Sequence, residues 1–97
     1  MKTILISQKA GTFAENKDVA REYRLKQIIP AFDSGEDKVI LDFADVTGAT
    51  QSFVHALISD VIRKYGDDVF TRLYFKNCSP AVQQVVNIVA DYMEESY

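Results

Sequence analysis

The chain has 97 residues, of which 47% are apolar and 26% charged, and its formal net charge is −3. This length suits one domain spanning residues 1–97, with a modest core and no room for a second domain. The acidic balance argues against nucleic acid as a partner, because phosphate binding needs a clustered positive surface, and the lone Cys78 excludes an intrachain disulfide and fits a reducing cytoplasm.

The first predicted strand, residues 3–7, is followed by a loop over residues 8–15. The strand's apolar run is too short for the core of a signal peptide, and no stretch approaches the roughly 20 apolar residues of a membrane span. We therefore expect a soluble, cytoplasmic protein without a membrane partner. A helix follows from its cap Asn16 to about Phe32, because apolar residues recur there at intervals of three and four. Pro30 predicts a kink or an irregular last turn in this helix.

The second predicted strand covers residues 38–43. Its consecutive apolar residues are typical of a strand that is covered on both faces. A polar turn over residues 45–50 then leads to a helix from about Ser52 to Tyr65. Ser52 is the expected cap of this helix, and Gly66 ends it in the usual glycine position.

The third predicted strand covers residues 69–76, where apolar and polar residues alternate as they do near the edge of a sheet. We expect Phe70 and Tyr74 on its outer side to be packed under a helix. Ser79 followed by Pro80 is a strong signal for the start of the last helix. The apolar stripe of that helix is predicted to contain Val82, Val85, Val86, Val89, Tyr92 and Met93.

This β-α-β-α-β-α order predicts an α/β fold with a small, mainly parallel sheet packed by helices. In such sheets, binding sites form beyond the carboxyl ends of the strands. Those ends lead into residues 8–16, 45–52 and 77–79. We therefore expect the three loops to share one edge of the molecule, with Ser52 on it.

The stretch Leu41-Asp-Phe-Ala-Asp-Val-Thr-Gly-Ala-Thr-Gln-Ser-Phe53 resembles the signature of STAS domains, the domains of sulphate transporters and anti-sigma-factor antagonists. In that signature a Leu-Asp strand leads to an Asp-Ser-Ser-Gly turn that opens a helix. Thr50 stands at the acidic position, Gln51 at the first serine, Ser52 at the second serine and Phe53 at the glycine. The resemblance implies a STAS-like fold and makes Ser52 the candidate phosphoacceptor, because antagonists are phosphorylated on the second serine.

The chain is more closely similar to the STAS-like domain family of unknown function. Its members carry a Gln-Ser-Phe-type or Gln-Ala-Phe-type turn here and often accompany histidine-kinase-like ATPase domains. The resemblance implies a non-enzymatic regulatory domain of bacterial signalling that binds such an ATPase, or another anti-sigma-type regulator, by partner switching. The candidate partner-binding residues are Thr47, Gly48, Thr50, Gln51, Ser52, Phe53 and His55. The chain lacks the acidic residue and the glycine of the antagonist turn, and the additional N-terminal strand of the larger family.

Ser52 has two interpretations from its position alone. A phosphate there would meet free N–H groups and the positive end of the helix dipole. The alternative is a plain N-cap, which stabilises a helix by about 1 kcal/mol. Thr47 and Thr50 are lesser hydroxyl candidates.

The remaining polar residues do not predict catalysis, a cofactor or a metal. Asp42, in an apolar strand, is expected to accept hydrogen bonds from nearby loop N–H groups. With Asp45 it could suggest a metal pair, but no third ligand is evident. His55 is expected at the surface rather than as a general base. The basic residues of the first long helix are interleaved with acidic ones, which is typical of a solvated face; they are Lys17, Arg21, Arg24 and Lys26.

Two other functions remain open from the sequence. One is a small-ligand or nucleotide-binding module that uses the loops at the carboxyl ends of the strands. The other is a self-associating structural domain, a homodimer in which the strand at residues 3–7 pairs along an open sheet edge.

Overall fold

The computed structural model describes residues 1–66 and 68–96. Its strands are β1 (Lys2–Leu5), β2 (Phe13–Ala14), β3 (Val39–Asp42), β4 (Gly48–Ala49) and β5 (Leu73–Lys76). Its α-helices are α1 (Ser7–Ala10), α2 (Lys17–Tyr23), α3 (Ile29–Asp33), α4 (Gln51–Tyr65), α5 (Asp68–Arg72) and α6 (Pro80–Ser96), and the π-helical turn Arg24–Ile28 joins α2 to α3. None of the helices in these two ranges is long and apolar enough to cross a membrane.

The main sheet is parallel and has the strand order β1-β3-β5. Lys2 pairs with Val39, which pairs with Leu73, and Leu5 pairs with Asp42, which pairs with Lys76. The predicted α/β fold with a small parallel sheet packed by helices is therefore confirmed. The two outer strands are β1 and β5; the edge position of β5 was expected from the alternating pattern of the third strand.

The helices cover one face of this sheet. Right-handed crossovers that step in one direction along a sheet place their helices on the same side, and α4 contacts both α2 and α6. The inward residues Ile4, Val39 and Leu41 are at most 1% exposed. On the other face Leu5 is 41% and Tyr74 is 44% exposed. The prediction that Tyr74 is packed under a helix was therefore wrong. The second strand was expected to be covered on both faces, and on this face its Ile40 is half-buried.

Pro30 produces the irregular turn that the sequence predicts. The N–H of Ile29 donates to the carbonyl of Arg24, five residues earlier. A proline lacks an N–H and its ring clashes with the carbonyl four residues before it. The wider π-helical turn relieves this conflict and lets the chain continue into α3.

The first part of the predicted third strand is helical. Val69 and its neighbours have β-branched or aromatic side chains, which favoured a strand, but tertiary contacts decide the structure here. The guanidinium of Arg72 donates to the carbonyl of Phe32 at 3.1 Å and to the carbonyl of Glu36 at 2.6 and 3.0 Å. These bonds tie the last residue of α5 to the end of α3. Phe70, which was expected to be packed under a helix, is 37% exposed.

The predicted loops over residues 8–15 and 45–50 contain a second, two-stranded parallel sheet of β2 and β4. Phe13 pairs with Gly48, and its ring lies so close that a Cβ at position 48 would stand 2.8 Å from it. Gly48 allows this close approach, and a larger residue there would require the Phe13 ring to shift. Strands of two residues are too short to give an alternating pattern, so the sequence could not predict them.

Candidate functional site

The three loops at the carboxyl ends of the main strands meet, as predicted; we call residues 6–16, 43–50 and 77–79 the rim. Thr47 joins all three loops. Its N–H and its Oγ1 donate to the carbonyl of Thr12 at 2.7 and 3.0 Å. Its own carbonyl accepts a hydrogen bond from Ser79 Oγ at 3.1 Å. The rim is therefore a bonded layer rather than a set of independent loops.

Asp42 anchors this layer to the sheet. Its Oδ1 accepts hydrogen bonds from the Ala44 N–H at 2.9 Å and from Asn77 Nδ2 at 3.0 Å. The hydrogen bond from Asn77 is the main reason that the pKa of this carboxyl lies below its usual value. The structural role expected of Asp42 is confirmed. Burial, and then the charge of Asp42, raise the pKa of the half-buried Cys78 thiol, which disfavours the reactive thiolate.

Thr50, not Ser52, caps α4. Thr50 Oγ1 accepts a hydrogen bond from the Phe53 N–H at 3.1 Å, and its backbone is extended with φ −87°. The Thr50 N–H donates to the carbonyl of Ala14 at 2.9 Å, which holds this residue in line with β4. The helix therefore begins one residue earlier than predicted. Ser52 is the second residue of α4, exposed, with its Oγ 3.2 Å from Thr50 Oγ1.

The other predicted partner-binding residues differ in how much surface they offer. Thr47 and Gln51 are exposed, and His55 is half-buried. Phe53 is 0% exposed, and Gly48 lies under the ring of Phe13. These last two residues are buried and support the exposed surface from beneath.

Ser52 lies in the wall of an apolar groove of about 500 Å³ between α2, α4 and α6. This groove is lined by Lys17, Gln51, Ser52, His55, Ala56, Ile88, Val89 and Tyr92. The sequence did not predict the contribution of Lys17 and α6. Tyr92 was assigned to the core stripe but is 60% exposed. One feature of the sequence could have indicated this wall of the groove: Ile88 is an apolar residue that lies outside the predicted stripe. Its side chain is 44% exposed.

Arg24 connects the π-helical turn that follows α2 to α4, beside the groove. Its Nη1 donates to the carbonyl of Ala56 at 3.0 Å and lies 3.3 Å from Asp60 Oδ2. The side chain is only 13% exposed. The prediction that the whole basic cluster lies on a solvated face was therefore wrong for Arg24, which ties the π-helical turn to α4 beside the groove.

A family model described as a STAS-like domain of unknown function (DUF4325) matches residues 23–83 of the chain. The matched segment includes the strands β3 and β5, the turn around Ser52 and the whole of α4. Lys17 and the α6 wall of the groove lie outside it. Neither a curated protein nor a solved structure matches the chain.

Proposed function

Because the chain belongs to the STAS-like domain family of unknown function, we propose that it is a non-enzymatic regulatory domain that binds another protein at the groove. The proposal rests on the surroundings of Ser52. Ser52 is exposed at the start of α4 and shares the groove with the exposed apolar side chains of Ile88 and Tyr92. Exposed aromatic and aliphatic residues beside a hydroxyl give a docking surface an apolar centre and a polar switch.

The proposed partner is a histidine-kinase-like ATPase or another anti-sigma-type regulator, bound in the cytoplasm. The proposed control is phosphorylation of Ser52. A phosphate would add about two negative charges to a surface that a partner must desolvate. Desolvation cost and repulsion of acidic groups on the partner would then release it. Thr50, already used as the helix cap, keeps α4 in place whether or not Ser52 is modified.

The experiment compares wild-type protein with three variants in binding to a candidate histidine-kinase-like ATPase. Ser52→Ala removes the hydroxyl, and Ser52→Asp adds one charge at the groove. Gln83→Glu adds the same charge on a face of α6 away from Ile88. We expect wild type, Ser52→Ala and Gln83→Glu to bind alike and Ser52→Asp to bind at least about tenfold more weakly. Equal binding by all four would contradict the switch.

The phosphorylation itself is tested separately, with ATP and the same ATPase. Intact-mass analysis should show one added phosphate group on wild type and none on Ser52→Ala. A phosphate that maps to Thr47 or Thr50 instead would move the switch to another hydroxyl and contradict the assignment to Ser52.

A second candidate function is small-ligand or nucleotide binding. The groove volume of about 500 Å³ falls within the range of small-molecule sites. A ligand that binds only the folded protein raises its melting temperature. A thermal-shift screen that finds such a compound, with the shift abolished by Tyr92→Ala, would favour this function over protein docking.

Self-association is favoured by the position of β1 at the edge of the main sheet. An edge strand offers unpaired backbone groups to another chain. Sedimentation across a range of concentrations tests it: a dimer that Thr3→Pro abolishes would support pairing along β1. A monomer at every concentration would exclude it.

A further inference from the structure

Among the described residues, the outer face of the main sheet leaves apolar side chains partly open to solvent, which is unusual for parallel strands. Such strands are almost always covered by helices on both sides. Here Thr3, Ile40 and Tyr74 stand side by side across the three strands, followed by a second row with Leu5. Leu5 and Tyr74 are 41% and 44% exposed, and Ile40 is half-buried. We propose that this outer face docks an acidic amphipathic helix of a partner protein.

The charged side chains on this outer face indicate that the partner helix is acidic. Lys38 Nζ lies 5.9 Å from the centre of the Tyr74 ring, and Lys76 is exposed beside Leu5 and Asp42 in the register. Asp42 is 9% exposed and its carboxylate accepts bonds from Ala44 and Asn77. Asp42 keeps its negative charge, so Lys38, Lys76 and Asp42 together leave one net positive charge on this face, although the whole chain carries −3.

The same charges disfavour a second copy as the occupant. Two outer faces packed together would bring lysines against lysines at an interface, which is repulsive. A helix with apolar residues on one side and glutamates or aspartates along its flanks places opposite charges beside Lys38 and Lys76 instead. Its apolar side would cover Leu5, Ile40 and Tyr74.

The dimensions of the face suit one helix. Strands spaced about 4.8 Å apart, each of four residues at about 3.3 Å, form a patch little more than 10 Å across. About two turns of helix cover that span. The surface is separate from the groove, since the groove lies among the helices on the covered side of the sheet.

The test is a titration of the isotope-labelled full chain with two synthetic peptides, followed by amide chemical shifts. Both peptides form about five helical turns with the same leucine face; one carries glutamates on its flanks and the other lysines. We expect saturable shifts at Leu5, Ile40 and Tyr74, and at least about fivefold tighter binding of the acidic peptide. The double substitution Lys38→Gln/Lys76→Gln should remove that preference, and Tyr74→Ser should weaken both peptides.

Three results would overturn the proposal: equal binding of the two peptides, shifts confined to the groove, or no shifts at roughly 1 mM peptide. Far-UV circular dichroism establishes that each variant is folded before it is compared. Ser52→Asp should bind the acidic peptide as wild type does. The two proposals can therefore be tested independently: helix docking on the outer face can be supported even if the Ser52 switch is contradicted, and the reverse.

Discussion

The rim is held together by hydrogen bonds between its loops, whereas the groove beside it is walled by helices that present apolar side chains to solvent. Thr47 bonds to the two other segments of the rim, and Asp42, at the end of β3, bonds to Ala44 and Asn77 in the rim. In the groove, Ile88 and Tyr92 are 44% and 60% exposed. The rim therefore supplies a fixed support for Ser52, while the groove supplies surface that a partner can bury.

The largest loss of stability is expected at Phe53, which is buried in the core next to the rim. Phe53→Ala removes a ring that is 0% exposed directly after Ser52. We expect the free energy of unfolding to fall by about 3–5 kcal/mol, because a cavity is left behind. Urea unfolding measures the change. Leu25→Ala, at a 54% exposed position, is the control and should change stability by less than about 1 kcal/mol. Similar losses in both variants would show that the support under Ser52 is not tightly packed.

The next largest loss of stability is expected when the hydrogen bond from Asn77 to Asp42 is removed. Asn77→Gly removes the amide donor but keeps the left-handed backbone, with φ 59°, that glycine adopts readily. We expect a loss of about 1–2 kcal/mol at pH 7. Asp45→Gly is the matched control, because Asp45 also has a positive φ of 67° in the rim. It should be within about 0.5 kcal/mol of wild type.

The pH dependence follows from the lowered pKa of Asp42. A carboxyl with a lowered pKa in the folded state contributes stability that is present above its unfolded value and lost as the pH falls through its folded value. The difference between wild type and Asn77→Gly should therefore be constant near neutral pH and shrink below about pH 4. Urea unfolding at several pH values measures it. A difference that grows on acidification would contradict the assignment of the shift to Asn77.

A smaller effect separates the two hydroxyls at the start of α4. Thr50→Ala removes the cap and should cost about 1 kcal/mol. Ser52→Ala should change the free energy of unfolding by less than about 0.5 kcal/mol. Thermal and urea unfolding of the two variants show which substitution costs more stability. The reverse order would restore Ser52 as the structural cap and remove its freedom to act as a switch.

The smallest effect on stability is expected in the groove. Ile88→Ser should change the free energy of unfolding by less than about 0.5 kcal/mol, because the side chain is 44% exposed. It should nevertheless weaken partner binding in the ATPase assay described above. A loss of stability above about 1.5 kcal/mol would place Ile88 in the core and make the groove part of the packing.

The sequence predicted the parts of the fold that repeat over many residues. The apolar stripe of α6 is confirmed except at Tyr92. The Ser79–Pro80 start of α6 is also confirmed, and Ser79 Oγ accepts a hydrogen bond from the Val82 N–H at 3.2 Å. The two-residue strands β2 and β4 and the single-turn helix α1 were missed because elements so short show no repeating apolar pattern. The strand signal at Val69 was overruled by the bonds that Arg72 makes to the end of α3.

The candidate site was predicted in part. The turn sequence located Ser52 correctly on the surface at the start of a helix, but it could not show that Thr50 makes the cap bond, since both hydroxyls fit that role. The opposite wall was missed for a different reason. Whether Tyr92 faces the core or solvent depends on which helix lies beside α6, and that is decided by contacts between segments far apart in the chain.

The central position of β3 has a consequence for how the chain is made. Neither Lys2 nor its neighbours can pair until Val39 has been synthesised, and the sheet is complete only when Lys76 is available. Contacts between residues so far apart in sequence slow folding. The first strand must therefore wait, unpaired, for more than a third of the chain. A nascent chain that stalls before β3 would expose Ile4 and Ile6 to chaperones.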